Sequence, residues 1–355
     1  MSEAARRVRG AVRARLRPAV HWRRANLLTP REATALSRRL AARGEELVEA
    51  QAERDALRHD LDRLRRAAGW VAPGHYYSPV PTPEDAEAAA ARAAPGALPG
   101  IDLRRDEQLV LAAALGALTR DQPFGAEARP GLRYRFDNGF YGFDDGLVLH
   151  TMLRHLRPKR VIEVGSGWSS ACMLDTDELF LDGTTELTFI DPEPERLDSL
   201  LRGDELAPRV TVHRARVQDV DPALFGVLAA GDVLFIDSSH VVKAGSDVVQ
   251  LALDVVPSLP AGVFVHLHDI PWPFEYSRAW AEERRWWSEA YLVRALLCDN
   301  ARLRIRWFNS YLRAEANDEV AAVFPLTGEG LSLWLEVVDG EQPAVPAADA
   351  APLRA

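Results

Sequence analysis

From residue 160 onward, short apolar runs alternate with longer segments of helical period. The runs are Arg160–Val164, Glu186–Ile190, Arg209–His213, Asp232–Ile236, Gly262–Leu267, Leu303–Phe308 and Leu331–Val337. So little polar interruption marks strands buried on both faces, and helices between such strands imply parallel crossovers. Upstream, helical patterns run from Glu107 to Thr119 and from Gly146 to Leu156, with Asp144 or Asp145 available as the N-cap of the second. Thr29 to about Ala68 reads as one long helix with only Gly44 inside. Leu40, Leu47, Leu61 and Ala68 share one heptad position and Ala50, Leu57 and Leu64 the other, while Arg43 and Arg54 interrupt the seam. This imperfect coiled-coil pattern predicts self-association.

The pattern divides the chain into a basic arm and helical extension (1–70), a Pro/Gly-rich linker with a packing helix (71–130), an α/β domain (131–340) and an alanine- and proline-rich tail expected to be disordered (341–355). Within the linker, His75-Tyr76-Tyr77 is aromatic enough to pack on the α/β domain.

Composition changes this picture little. The chain has 355 residues, 47% hydrophobic and 27% charged, ordinary values for globular domains. No apolar run is long enough for a transmembrane helix, and no signal peptide is visible. Cys172 and Cys298 are the only cysteines, too few for a disulfide scaffold, which fits reduced thiols and a cytoplasmic location. The net charge of −9 hides twelve arginines within residues 1–45 against Glu3, Glu32 and Glu45. No nucleic-acid-binding module accompanies them, so this segment reads as a solvated arm and no nucleic-acid partner is expected.

The candidate chemistry begins where the first run ends, at Glu163-Val164-Gly165-Ser166-Gly167-Trp168-Ser169-Ser170. Glycines let the backbone turn tightly and approach a ligand, and the helix that follows presents free N–H groups to the same gap. A pyrophosphate-binding fold would place G-x-G-x-x-G here and gain nothing from a carboxylate, so Glu163 argues against a nicotinamide dinucleotide. Asp191 closes the second run, where an acid accepts hydrogen bonds from a ribose diol.

Glu-x-Gly-x-Gly closing a first strand and an acid closing the next resemble the class I S-adenosylmethionine (SAM)-dependent methyltransferases over roughly residues 130 to 340. Within that superfamily the chain is most similar to a bacterial group of small-molecule or saccharide type whose substrates are mostly unassigned. The resemblance implies a Rossmann-like seven-stranded sheet, order 3-2-1-4-5-7-6 with the last strand antiparallel, and SAM as cofactor. It implies cofactor contacts from Glu163 (methionine side or loop ordering), Gly165, Ser166, Gly167, Ser169 and Asp191 (ribose). Gln218 and Asp219, after the third strand, both fit adenine recognition. Asn138 and Tyr141, before the first strand, fit the cofactor's methionine end or the acceptor.

The fourth run ends in Asp237-Ser238-Ser239-His240 and the fifth in His268-Asp269. In an open α/β sheet these ends meet at one crevice, so Asp237, His240, His268 and Asp269 converge there. Two chemistries remain open. The four residues could hold a divalent metal ion, His–Asp standing where similar metal-dependent O-methyltransferases carry Asp-Asn, a change that favours a transition metal over Mg²⁺. Alternatively His240 or His268 is a general base, with Asp237 or Asp269 orienting it. His266 points to the same sheet face as His268 and reads as a packed supporting group. Trp280, Trp286 and Trp287 fit an acceptor wall.

The expected function is methyl transfer from SAM to a hydroxyl of a small molecule or saccharide. The competing readings are a nicotinamide-dependent oxidoreductase and a non-catalytic scaffold that keeps the fold.

Overall fold

The computed structural model of the chain describes residues 29–67, 69–92, 98–202, 209–328 and 330–340. Most of the basic arm, Ala68 of the heptad pattern and the 341–355 tail lie outside these residues. Two compact units are present, Met1–Val80 and Pro81–Ala355. Of the first, the main element is α1 (Pro30–Ala67). Thr29 and Glu32 form a reciprocal cap: the Glu32 carboxylate accepts from the Thr29 N–H and hydroxyl, both at 2.7 Å, and Pro30 opens the first turn. His75 stacks on Tyr76 and Tyr77, with ring centroids 4.3 and 5.8 Å apart, and the two tyrosine rings are tilted against each other at 4.4 Å.

In the second unit the sheet comprises β1 (Arg160–Val164), β2 (Glu186–Ile190), β3 (Val210–His213), β4 (Val233–Ile236), β5 (Phe264–Leu267), β6 (Leu303–Phe308) and β7 (Leu333–Val337). Their order is β3-β2-β1-β4-β5-β7-β6, as the resemblance implied. β1 to β5 run parallel, and β7 runs antiparallel to both β5 and β6. β4 is wholly buried and β1 buried from Val161 on, the reason their sequences lack polar alternation. Strand order reverses between β1 and β4, so their carboxyl ends part and open a crevice.

Helices cover both faces: α2 (Pro83–Arg92), α3 (Arg105–Gly116), α4 (Phe143–Leu156), α5 (Trp168–Phe180), α6 (Glu195–Leu200), α7 (Asp247–Gln250), α8 (Arg278–Glu282), α9 (Glu289–Leu297), α10 (Asn309–Glu315) and α11 (Asn317–Ala321). α7 continues through a π-helical turn, Leu251–Val255. α3 buries Leu111, Ala112 and Leu115, and its Gln108 amide bridges Leu103 O (2.6 Å) and Phe308 N (2.8 Å). No helix among the described residues is long and apolar enough to cross a membrane.

Asp144 and Asp145 do not cap α4. The helix starts at Phe143 after Gly142, without a side-chain cap. Both carboxylates instead turn to the segment before β7. Asp144 accepts from Thr327 N (2.7 Å), Thr327 Oγ1 (2.9 Å) and Gly328 N (2.7 Å), and Asp145 from Ser332 N (3.0 Å), Ser332 Oγ (2.6 Å) and Leu331 N (3.0 Å). Within this partly buried loop the Gly330 and Ser332 N–H groups are cut off from water and need partners, which the two acids supply. Asp175 of α5 does the same for the preceding loop, accepting from Arg133 N (2.7 Å) and Tyr134 N (2.8 Å), and the almost fully buried Arg133 guanidinium pairs with Asp175 at 2.7 Å and Glu178 at 2.8 Å.

Candidate active site

The crevice at the carboxyl ends of β1, β2, β4 and β5 holds a cleft of about 820 Å³. Gly165, Ser166, Asp191 and Gln218 line one part of it, and Asp237, His240, His268 and Asp269 another.

Gly165 has φ +85°, and a Cβ there would sit 1.7 Å from the Asp237 carbonyl oxygen. The β1 and β4 loops therefore touch through glycine, and no other residue fits. Asp191 Oδ2 accepts from Ser166 N and Oγ, both at 2.8 Å, while Oδ1 accepts from Glu193 N at 2.8 Å. The carboxylate borders the cleft, but three of its roughly four acceptor positions already order the loops.

Glu163 lies beneath the loop, fully buried, and does not line the cleft. Its two oxygens accept from the Ser169 and Ser170 hydroxyls, and Ser170 Oγ in turn accepts from Gly167 N at 2.9 Å. Burial pushes the Glu163 carboxyl up to about 8, the serine hydroxyls offsetting part of the rise. Of the two roles left open for Glu163, the geometry is that of loop ordering. Gly167 and Ser169 belong to the same support and are likewise absent from the lining.

Asn138 also lies outside the cleft lining. Its amide closes its own loop, donating to Arg135 O and Tyr141 O (2.7 Å each) and accepting from Phe140 N (2.9 Å) and Tyr141 N (2.8 Å). All the hydrogen-bonding capacity of an amide is engaged, leaving none for a ligand. Tyr141 is buried, its ring 4.9 Å from that of His268. At the far end Gln218 lines the cleft and donates to Gly245 O at 3.0 Å, whereas Asp219 turns to Arg216 at 2.8 Å and stays out of it.

The four residues of the β4 and β5 ends converge, though not equally. One ligand atom each from Asp237, His240 and Asp269 lie within 4.8 Å of one another. His240 Nε2 is 3.3 Å from Asp237 Oδ1 and 3.6 Å from Asp269 Oδ2. His268 stands beside this trio, its Nε2 3.8 Å from Asp269 Oδ1. His240 and Asp269 both have left-handed backbone, φ +58° and +57°. Such conformations in non-glycine residues cluster where a side chain must be aimed.

Behind His240 stands Glu289, at the start of α9, accepting from Nδ1 at 2.8 Å. Its own N–H and that of Ser288 donate to His240 O, at 3.1 and 2.9 Å. Sequence reading missed this residue; an acid in the first turn of a helix is too common to single out. Burial would strip His240 of its proton, but Asp237 and Glu289 outweigh it and hold the imidazolium up to about 10. Burial likewise works against the Asp237 anion, yet His268 and His240 keep it down at about 2. His266 is fully buried, stacked 3.9 Å from the Phe235 ring, and burial keeps it neutral. The expected aromatic wall is represented by Trp287, which lines the cleft with its ring 4.4 Å from that of His240.

Two carboxylates and an imidazole aimed at one point, with a buried acid on the far imidazole nitrogen, form a donor set that fits a divalent cation. A second lobe of about 830 Å³ shares Gly139, Phe140, His268 and Asp269 with the first, and its wall carries Phe124, Phe136 and Phe143.

The fold and the glycine loop are those of a methyltransferase domain, and a family model of that description matches residues 162–270. An uncharacterized protein of Archaeoglobus fulgidus is 31% identical over 162 residues, covering 44% of this chain and 72% of that protein. Residues 162–270 are thus those of a methyltransferase domain, and the seven-stranded sheet they belong to has the Rossmann-like methyltransferase order. Among solved structures, the SAH-bound methyltransferase PaMTH1 of Podospora anserina is similar at 15% identity over 72% of this chain and 96% of that one, with a TM-score of 0.38. The SAM-bound O-methyltransferase TomG of Streptomyces achromogenes, involved in tomaymycin synthesis, is similar at 14% identity over 73% and 97%, with a TM-score of 0.37.

Proposed function

We propose that this methyltransferase binds SAM in the glycine-loop cleft and methylates a hydroxyl of a small-molecule acceptor held in the Phe-walled lobe, beside a divalent cation. The observation that carries this reading is the convergence of Asp237, His240 and Asp269 within 4.8 Å at the junction of the two lobes.

In this reading the acceptor oxygen attacks the sulfonium methyl, the C–O bond forming as the C–S bond breaks and its electron pair stays on sulfur. The hydroxyl proton passes to His268 Nε2, the imidazole that borders both lobes. His240 does not line the second lobe and keeps its proton between Asp237 and Glu289. Burial works against the His268 imidazolium, yet Asp269 and Asp237 hold it above its ordinary value, so its neutral fraction is the base and the rate should rise with pH. Asp237, His240 and Asp269 are the residues that would hold the cation, with Glu289 fixing the His240 tautomer. A bound divalent ion supplies Lewis acidity, lowering the pKa of an acceptor hydroxyl. The rest of the rate comes from positioning two substrates in line across the lobe junction.

The acceptor lobe takes carboxylates but no lysine or arginine from its lining, so it suits an uncharged acceptor with a flat apolar face, an aromatic ring or the CH face of a sugar. Calorimetry tests the core of the reading. S-adenosylhomocysteine (SAH) should bind the purified chain, and Mn²⁺ should bind the wild type while binding Asp269→Asn more weakly by at least about 100-fold, since a ligand atom is lost. Absence of SAH binding would sink the cofactor assignment, and equal Mn²⁺ affinity in the two proteins would sink the cation site.

A further inference from the structure

The other feature that calls for a partner lies in the first unit. α1 has 38 residues, about 57 Å of helix at 1.5 Å per residue. Leu40, Leu47, Arg54 and Leu61 occupy position a of a heptad, and Leu36, Arg43, Ala50, Leu57 and Leu64 occupy d. The six leucines of this seam are between 42% and 63% exposed. A solitary helix of this kind is marginal in water, because its apolar stripe remains wet and its stability then rests on local propensity alone.

We infer that α1 pairs with α1 of a second copy as a parallel, in-register, two-stranded coiled coil. Charge decides the orientation. Position g carries Arg39, Glu46, Glu53 and Asp60, and position e carries Gly44, Gln51, Arg58 and Arg65. In a parallel pair each g residue faces the e residue five positions later on the other strand, which sets Glu46 against Gln51 and Glu53 against Arg58, twice over by symmetry. In an antiparallel pair g faces g and e faces e, which sets the row Glu46, Glu53 and Asp60 against its own copy with Arg39 as its single cation, so repulsions outnumber attractions. Arg54 selects the strand number and the register. In a two-stranded coil a long cation at a can lie along the seam and reach water, whereas a third strand closes that route; one polar a position also penalises heptad slips. Both chains then leave the rod at the same end, where each continues into its own methyltransferase unit.

Mass and disulfide trapping test this on the full chain. Cys172 is buried and Cys298 exposed, so a Cys298→Ser background is silent. Light scattering of the wild type should give twice the 39.3 kDa chain mass at about 10 µM. Leu47→Cys and Leu61→Cys, each on that background, should oxidise to a self-linked dimer. Leu57 is exposed in the chain, so Leu57→Asp leaves the fold intact and should raise the dissociation constant by at least about 100-fold. A monomer at 100 µM, a trimer, or a dimer that survives Leu57→Asp overturns the inference. Cross-linking only when the Leu47→Cys and Leu61→Cys proteins are mixed overturns the parallel arrangement.

Discussion

Replacing Glu163 by glutamine removes one titration and almost nothing else. The carboxyl is fully buried under the glycine loop, with its oxygens on the Ser169 and Ser170 hydroxyls. A glutamine amide keeps an acceptor for one hydroxyl and offers a donor to the other. The folded-state value of about 8 lies above the ordinary 4.5, so between those values the folded chain binds more protons than the unfolded chain. Stability from this group is therefore complete below about 4.5 and is lost as pH rises through about 8. Those 3.5 units, at about 1.36 kcal/mol each, amount to about 5 kcal/mol. The assay is urea unfolding of the wild type and Glu163→Gln, followed by tryptophan fluorescence at pH 4.5, 7 and 8.5. The variant should gain stability relative to the wild type by about 4–5 kcal/mol across that range, every other titration cancelling in the difference. Parallel pH profiles would refute the reasoning, since they would mean the carboxylate stays ionised in the fold. The same variant separates two roles for the residue. A loop-ordering Glu163 leaves SAH affinity within a few-fold at pH 7, and a tenfold loss would make it a direct contact.

Three further outcomes follow from the geometry. Mn²⁺ binding at pH 7 should release about one proton, because a His240 held up to about 10 must give its proton to let a cation in; affinity then rises up to tenfold per pH unit until about pH 9, and calorimetry in buffers of different ionisation enthalpy reads the proton directly. Glu289→Gln should weaken Mn²⁺ by roughly 10- to 100-fold at unchanged stoichiometry, measured by electron paramagnetic resonance; an unchanged affinity would deny the Glu289–His240 pair its orienting role. Asp144→Ala leaves the buried Gly330 N–H without its acceptor, while the exposed Thr327 and Gly328 N–H groups turn to water, and should cost about 1–3 kcal/mol in urea unfolding, with early proteolytic cleavage near residue 328; no measurable loss would show water replacing the carboxylate throughout.

Much of the scaffold was legible in the chain. The apolar runs marked all seven strands, most sharply β1 and β4, because a strand buried on both faces has no freedom to carry polar residues, whereas β3 and β6 keep Thr211, Arg304 and Arg306 at exposed or half-buried positions. Strand order came from the resemblance, not the periodicity. Gly165 was legible as well, since a backbone approach of 1.7 Å to a would-be Cβ leaves only one residue type. Side-chain assignments from position alone fared differently. Asn138 and Asp219 stand near the cleft in sequence terms, yet one closes its own loop and the other pairs with Arg216. Asp144 and Asp145 precede a helix and read as caps, but they hold a segment some 183 to 187 residues further on.

The sequence by itself determined the strands, the glycine loop and the set of acids and imidazoles that end neighbouring strands, because these follow from local sterics and from the burial each strand demands. Tertiary structure alone decided which of those groups meet. Glu163 turned under the loop rather than into the cleft, His240 and Asp269 came to one point through left-handed backbone, and Glu289 reached His240 from 49 residues away. A hydrogen bond depends on where two loops bring their atoms to within a few tenths of an ångström, and that distance is set by the packing of whole elements, which no local pattern records.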